Sequence, residues 1–314
     1  MSGPAAGTRA VAFAPASVGN VAIGFDILGF AVGVLGDRVT ATRRSGRGVQ
    51  ISAVRGIAGE LALDPAQNTA GQALLALIEA VQPDFGFSIE IDKGIPLGSG
   101  LGGSAASAVA AVVAGNALLP EGCARGELLK FALAGEQVAS GSRHMDNIAP
   151  SLYGGLVLTV GIDHPRVKQI PVPAGVRAVV VHPHMFLATS KARAILKGSV
   201  AMADFVWQTA NLAGFISGCY TDDLDMIRAS FEDVVIEPQR QALIPGFLAA
   251  RRGAMAAGAL GCSISGAGPS MFAWATADTA PAVEQAMQAA FGAESLKCDT
   301  WIIEVNSPGA RVIG

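Results

Sequence analysis

The chain has 314 residues, enough for two domains of ordinary size. It is 51% hydrophobic, yet its most apolar stretch, residues 105–119, is interrupted by Ser107, Gly115 and Asn116 and is too short to cross a bilayer. A formal net charge of -3 without a basic run argues against a nucleic-acid partner, and four scattered cysteines without C-x-x-C spacing point to a reduced, cytoplasmic protein with no structural zinc.

The start, "MSGPAAGTRAVAFAP", has one arginine and an early proline and does not read as a signal peptide. Along the chain, "RAVAFAP", "DRVTATRR" and "VQISAV" read as short strands bounded by Gly or Pro. "NTAGQALLALIEAVQ", opening at Asn68, has the apolar spacing of a helix, and "FGFSIEID" alternates as a strand. A glycine loop follows, then a helix over residues 104–118 and a second helix, "RGELLKFALAGEQVASG". "GGLVLTVG" and "VRAVVVHP" read as strands around "IPVPAG", which is taken as the join between domains of residues 1–168 and 169–314. "HPH" at 182–184 reads as a strand end broken by proline before it reads as a metal pair. The second half alternates helices ("VAMADFVWQTANLAGFISG", "LDMIRASFED", "IPGFLAARRGAMAAG") with strands ("GCSIS", "SMFAWA", "DTWIIEV"). The pattern predicts an α+β fold without internal repeats.

The glycine loop, "IPLGSGLGGSAASAVAAVVAG", satisfies the dinucleotide fingerprint through Gly98, Gly100 and Gly103. Its surroundings do not. A dinucleotide fold needs a hydrophobic strand after the first helix, ending in an acidic residue, and here a second helix follows. The strand before the loop alternates polar with apolar, unlike a central parallel strand, and no Gly-Lys-Ser/Thr marks a P-loop. What remains is the physics those motifs share. Glycines let the backbone approach a ligand closely, and a helix starting at Ser104 adds partial positive charge at the same point, so the loop predicts an anion site. A tight strand-to-helix turn is the plainer alternative, but four glycines within residues 98–103 favour phosphates, and a Cβ at Gly100 or Gly102 is expected to stand where a phosphate would.

Two further clusters flank this one: "APASVGNVAIGFDILG", with polar Ser17, Asn20 and Asp26 in an apolar run, and "GCSISGAGPSMFAW", a second glycine turn. Three such clusters in this order resemble the small-molecule kinases named after galactokinase, homoserine kinase, mevalonate kinase and phosphomevalonate kinase. Their P-x-x-x-G-L-G-S-S-A loop is matched by Pro96, Leu97, Gly98, Ser99, Gly100, Leu101, Gly102, Gly103, Ser104 and Ala105, with Gly103 in place of the first serine. "SVGNVAIGFDILG", "GEQVASGSRHMDNIAPSLYGG", "TSKARAILKG" and "EPQRQALIPGF" are similar to the family's homoserine-phosphorylating branch, so the resemblance covers nearly the whole chain.

That resemblance implies a two-domain kinase, a glycine-loop nucleotide domain followed by an α/β sandwich, with ATP as donor and L-homoserine as acceptor, on the way to threonine. It implies Mg2+ on Ser104 and Glu136, although an N-cap serine and a solvated helix glutamate are the plain alternatives. It puts Asn20, Asp26, His144 and Asp146 in an amino-acid pocket and Arg193 and Arg240 on the carboxylate, the two arginines acting alike. Asp146 and Asn147, with Glu136, would serve the reacting hydroxyl, Asp146 either as a base or as an orienting group. Asn68 is equally a helix cap or a residue on the adenine side. A homodimer is a family expectation. A sugar or mevalonate kinase, a non-catalytic binding relative and a nicotinamide oxidoreductase are the competing readings. The first should lack the paired arginines, the second Ser104 or Glu136, and the third needs a strand where "GELLKFALAGEQVA" reads as helix.

Overall fold

The computed structural model describes residues 7–57, 61–140, 144–161 and 165–314. Strands β1 (Arg9–Gly19), β2 (Leu28–Arg44) and β3 (Val49–Gly56) lead to helix α1 (Thr69–Val81) and strand β4 (Gly86–Lys93). Helices α2 (Gly103–Asn116), α3 (Arg125–Ser140) and α4 (Met145–Tyr153) follow, then strands β5 (Leu156–Val160), β6 (Arg166–Ile170) and β7 (Val176–Pro183). The rest runs α5 (Thr189–Ala194), α6 (Met202–Thr221), α7 (Leu224–Ser230), α8 (Glu237–Arg240), α9 (Phe247–Ala256), β8 (Gly261–Ile264), β9 (Met271–Thr276), α10 (Ala280–Ala293), β10 (Cys298–Glu304) and β11 (Arg311–Val312).

Among the described residues one sheet has seven strands, in the order β11-β1-β2-β4-β3 with β5 on β2 and β6 on β5, and a second has the order β10-β7-β9-β8. The first strand runs past Pro15, where sequence punctuation suggested an end. A register shift between Pro15 and Ala16 absorbs the proline, and pairing with β2 resumes to Gly19. That extension carries Ser17 and Asn20 to the site. The seven-residue expectation "RAVAFAP" was therefore too short.

The alanine-rich helix α2 is buried on every side from Ala105 to Gly115. A helix apolar all round is a core helix. Small side chains let it pack closely against α1: a Cβ on Gly115 would stand 2.5 Å from Leu74. Apolar packing also joins the sheets. Phe30 of β2 meets Phe272 and Trp274 of β9 edge-on at centroid distances of 5.5 and 6.2 Å. Behind the second sheet, Val179, Val181, Phe247, Met287 and Phe291 form a separate cluster with α9 and α10.

Among the elements that escaped the sequence reading are β6, α4 and α10, the short helices α5 and α8, and the two-residue strand β11. The chain changes sheet between β6 and β7, across the proline stretch, while β11 returns to pair with β1. No described helix is long and apolar enough to cross a membrane.

Candidate active site

Helix α2 does not begin as expected. Gly102 is its N-cap, in the left-handed conformation at φ 67°, and no side chain caps it. Ser104 is thus inside the first turn and is not the cap serine the sequence allowed. Its hydroxyl instead donates to Oε1 of Glu136 at 2.9 Å, across from α3. Glu136 is only 2% exposed, and the same Oε1 meets Nδ1 of His144 at 3.0 Å.

Beneath the loop lies a buried ion pair. Lys93, at the end of β4, donates to Asp37 of β2, to the carbonyl of Gly103 at 2.7 Å and to the hydroxyl of Ser107 at 2.9 Å. Asp37 also accepts the amides of Gly94 and Ile95 and the Ser107 hydroxyl, so its lone pairs are satisfied. This cluster anchors the first turn of α2 to the sheet.

The loop glycines are required for a reason besides the expected one. A Cβ on Gly100 (φ 76°) would stand 2.6 Å from the carbonyl oxygens of Ser265 and Gly268, and one on Gly102 would stand 2.2 Å from the Ser17 hydroxyl. Glycine is demanded by the neighbouring turn and by Ser17, not by the space of a phosphate alone.

The turn at 265–268 binds the elements together. The Ser265 hydroxyl donates to the carbonyl of Gly100, the amide of Gly266 donates to the carbonyl of Gly19, and the amide of Ser270 donates to the carbonyl of Ser99. The Gly266 carbonyl accepts from Asn20 Nδ2 at 2.9 Å and from Arg240 Nη1 at 3.0 Å.

Around Asn20 the backbone is left-handed at three successive non-glycine residues, Asn20, Val21 and Ala22. Such conformations cost energy and persist only where the surroundings impose them. Here Asn20 Oδ1 accepts the Asp26 amide, and the Asn20 amide donates to Asp146 Oδ2 at 3.1 Å. Asn147 donates to Asp146 Oδ1 and accepts from Ser17 at 3.0 Å.

Asp146 is 2% exposed. Burial, and then the charge of Asp26, raise its pKa to about 6, against the pull of His144 and the Asn20 amide. For His144, burial alone would lower the pKa, but the hydrogen bond its ring donates to Glu136 and the charges of Glu136, Asp146 and Asp26 raise it on balance. Burial, and then the charge of Arg193, lower that of Arg240.

These groups line a cavity of about 170 Å³, to which Pro96 to Gly100, Gly102 and Gly103 also contribute. Leu101 and Ala105 are fully buried and do not line it. Asn68 does not line it either: its side chain accepts the amides of Ala70 and Gly71 and donates to the Ala62 carbonyl, the capping role. Asp26 and Arg193, expected on opposite charges of a ligand, are bonded to each other, Arg193 Nη1 reaching Asp26 Oδ2 at 2.8 Å. Gly141, Ser142 and Arg143 of the "SGSRHMDN" segment lie outside the described residues.

The model of the GHMP kinases N terminal domain matches residues 68–155, and that of the GHMP kinases C terminal domain matches residues 215–293. The chain is 50% identical over 306 residues to homoserine kinase of Xylella fastidiosa, covering 97% of this chain and 94% of that one. The chain belongs to the GHMP kinases. Homoserine kinase of Chlorobium phaeovibrioides is 44% identical over 314 residues, covering 96% of this GHMP kinase and 98% of that protein. The crystal structure of homoserine kinase from Cytophaga hutchinsonii superposes with a TM-score of 0.96 at 42% identity over all of both chains. As a GHMP kinase the protein transfers a phosphoryl group from ATP to an alcohol.

Sequence reasoning missed several parts of this GHMP kinase site. Thr189, Gly266 and Ala267 line the cavity, and Ser17 orients Asn147. Ser17 and the glycine turn stood out in the sequence without an assigned role. Lys93 and Asp37 left a weaker trace, a lysine directly before the glycine loop.

Proposed function

We infer that this GHMP kinase transfers the γ-phosphoryl group of ATP to the side-chain hydroxyl of L-homoserine, giving O-phospho-L-homoserine on the way to threonine. The observation that carries the reading is the pairing of Arg193 and Arg240, whose guanidinium carbons stand 5.1 and 5.2 Å from the centroid of one ring, Phe25, in a cavity that also holds Asp26 and Asp146. Two cations and two carboxylates suit a zwitterion; a neutral sugar gives them no partner. Homoserine kinases at 44–50% identity over nearly the whole chain support the same acceptor.

The phosphates would rest on the glycine loop and the N-terminus of α2, whose amides and dipole favour negative charge. Magnesium would be held by Ser104 and Glu136, hard oxygen donors 2.9 Å apart at the cavity wall. No described cluster of three or more His, Cys, Asp or Glu suits a metal, but Mg2+ keeps several waters and phosphate oxygens, so two protein donors fit it. When bound it neutralises charge on the phosphates. The acceptor hydroxyl would lie against Asp146 and Asn147. Ionised Asp146 accepts the hydroxyl hydrogen and aims the oxygen, and a loose transition state asks little more of a base. Asn20, Asp26 and His144 would surround the ammonium, and the arginines the carboxylate. A division into residues 1–168 and 169–314, a cytoplasmic location and a homodimer belong to the same proposal, the change of sheet between β6 and β7 supporting a join near that point.

A coupled ADP-release assay across homoserine, serine, threonine, mevalonate and galactose tests the reading. Homoserine is expected to give the highest kcat/KM. Equal use of mevalonate or galactose would leave an alcohol kinase with another acceptor.

A further inference from the structure

Phe25 lies between Gly24 and Asp26 in the turn that follows Asn20, half-buried, and none of the roles argued above uses it. Its ring is nevertheless the element that the two arginines share. Arg193 comes from α5 and Arg240 from α8, and each guanidinium lies over the Phe25 ring. Both are within the roughly 6 Å at which a ring quadrupole attracts a cation.

The two arginines are otherwise held very differently. Arg240, 4% exposed, donates to the Ala192 and Gly266 carbonyls, whereas Arg193 is bonded to Asp26 at the cavity. Ala192 immediately precedes Arg193, so the guanidinium of Arg240 is tied to the backbone that carries its neighbour. Two like charges brought this close repel, and burial intensifies the repulsion. Asp26 meets Arg193 on one side, and the aromatic face offsets part of the remaining repulsion without adding a second carboxylate beside Arg240. A leucine or isoleucine would fill the same volume and leave both charges unscreened on that side.

We propose that Phe25 is a positioning residue for acceptor specificity: its ring holds the guanidinium groups of Arg193 and Arg240 in place side by side for the carboxylate of an amino-acid acceptor, with Asp26 on the far side of Arg193. The proposal rests on the homoserine reading above. Phe25 acts through the arginines, so its removal should weaken binding of acceptors that carry a carboxylate and spare acceptors that lack one. Preorganisation of this kind acts on affinity more than on the chemical step.

The test is calorimetric titration of homoserine and of 4-aminobutanol, which lacks the carboxylate, into native protein, Phe25→Leu and Phe25→Trp, with steady-state kinetics alongside. Phe25→Leu is expected to raise the Kd and KM for homoserine about tenfold, equivalent to about 1.4 kcal/mol. Its kcat should stay within about twofold, and its Kd for 4-aminobutanol should match the native value. Phe25→Trp, which keeps a π face, should bind homoserine to within about threefold of native. Equal losses for both ligands in Phe25→Leu, or a loss in Phe25→Trp as large as in Phe25→Leu, would mean that Phe25 is only filler. If Phe25→Leu loses thermal stability, the comparison between the two ligands within that variant still decides. Native protein that fails to bind homoserine overturns the acceptor reading itself, a different result from native binding with Phe25→Leu unchanged.

Discussion

At Asp146 a carboxyl is held almost out of water, with the Asn20 amide and the Asn147 side chain among its donors, and its pKa of about 6 lies above the ordinary 3.8. A folded-state value above the unfolded one means that folding favours the protonated form. The penalty is absent below about pH 4, grows as pH rises, and is complete above about pH 6. Two pKa units correspond to roughly 3 kcal/mol. Asp146→Asn is therefore expected to raise Tm at pH 7, with the gain fading toward pH 4, while activity collapses; paired thermal melts at the two pH values and an ADP-release assay check both halves. For the native enzyme, kcat/KM should rise with pH through about 6 as Asp146 ionises. Glu136 offers a different outcome. Glu136→Gln removes the proposed magnesium donor and the charge opposite Ser104, and is expected to lower kcat at least a hundredfold, about 3 kcal/mol, with homoserine affinity little changed. Near-native turnover with unaltered magnesium dependence would remove the assignment.

The element that matters most is α2 with its glycine loop, fastened on two sides. On the sheet side, Lys93 and Asp37 have side chains 2% and 0% exposed. Taking one partner from a buried pair leaves an uncompensated charge, so Lys93→Met should cost about 3–5 kcal/mol in urea unfolding. The double variant with Asp37→Asn should recover much of that loss; no recovery would mean that the pair does not act as a unit. On the other side, the loop presses on the turn at 265–268. Gly100→Ala puts a methyl against two carbonyls at a positive φ and should destabilise the fold by about 1–3 kcal/mol while weakening nucleotide binding. Loss of ATP affinity without any change in unfolding would restore the simpler idea that the Cβ merely occupies the phosphate's place.

Across the whole molecule, the Gly266 carbonyl is the meeting point. It accepts from Asn20 near the start of the chain and from Arg240 far along it, and its turn contacts the glycine loop. The two arginines are thus not equivalent, contrary to the expectation from sequence. Arg240 is buried and bonded to two carbonyls, whereas the Arg193 side chain is 35% exposed. Arg240→Ala should cost about 1.5–3 kcal/mol or more of stability without any ligand, because hydrogen bonds from a charged group are lost and buried acceptors are left behind. Arg193→Ala should leave Tm nearly unchanged and weaken homoserine at least roughly thirtyfold. Thermal melts of both variants in the absence of substrates separate the two cases.

What the residues by themselves determined was local. Apolar spacing marked α1, alanine richness marked α2, alternation marked β4, and glycine clusters marked the loops that converge on the cavity. Ser104, Glu136, Asp146, Arg193 and Arg240, all on the cavity wall, were singled out through the resemblance to a kinase family, since residue type alone left Glu136 and Arg240 as ordinary surface groups. The strands β6 and β11 were not, since "RVKQI" is largely exposed and β11 is two residues long, so each is a strand only because a partner lies alongside. The same holds for the site's hidden supports. Ser17 meets Asn147 across 130 positions, and Asn20 meets the Gly266 carbonyl across 246. Backbone carbonyls are chemically alike at every residue, so no letter of the sequence says which one will accept a buried guanidinium or forbid a Cβ. Only the packing of one sheet against the other decides that.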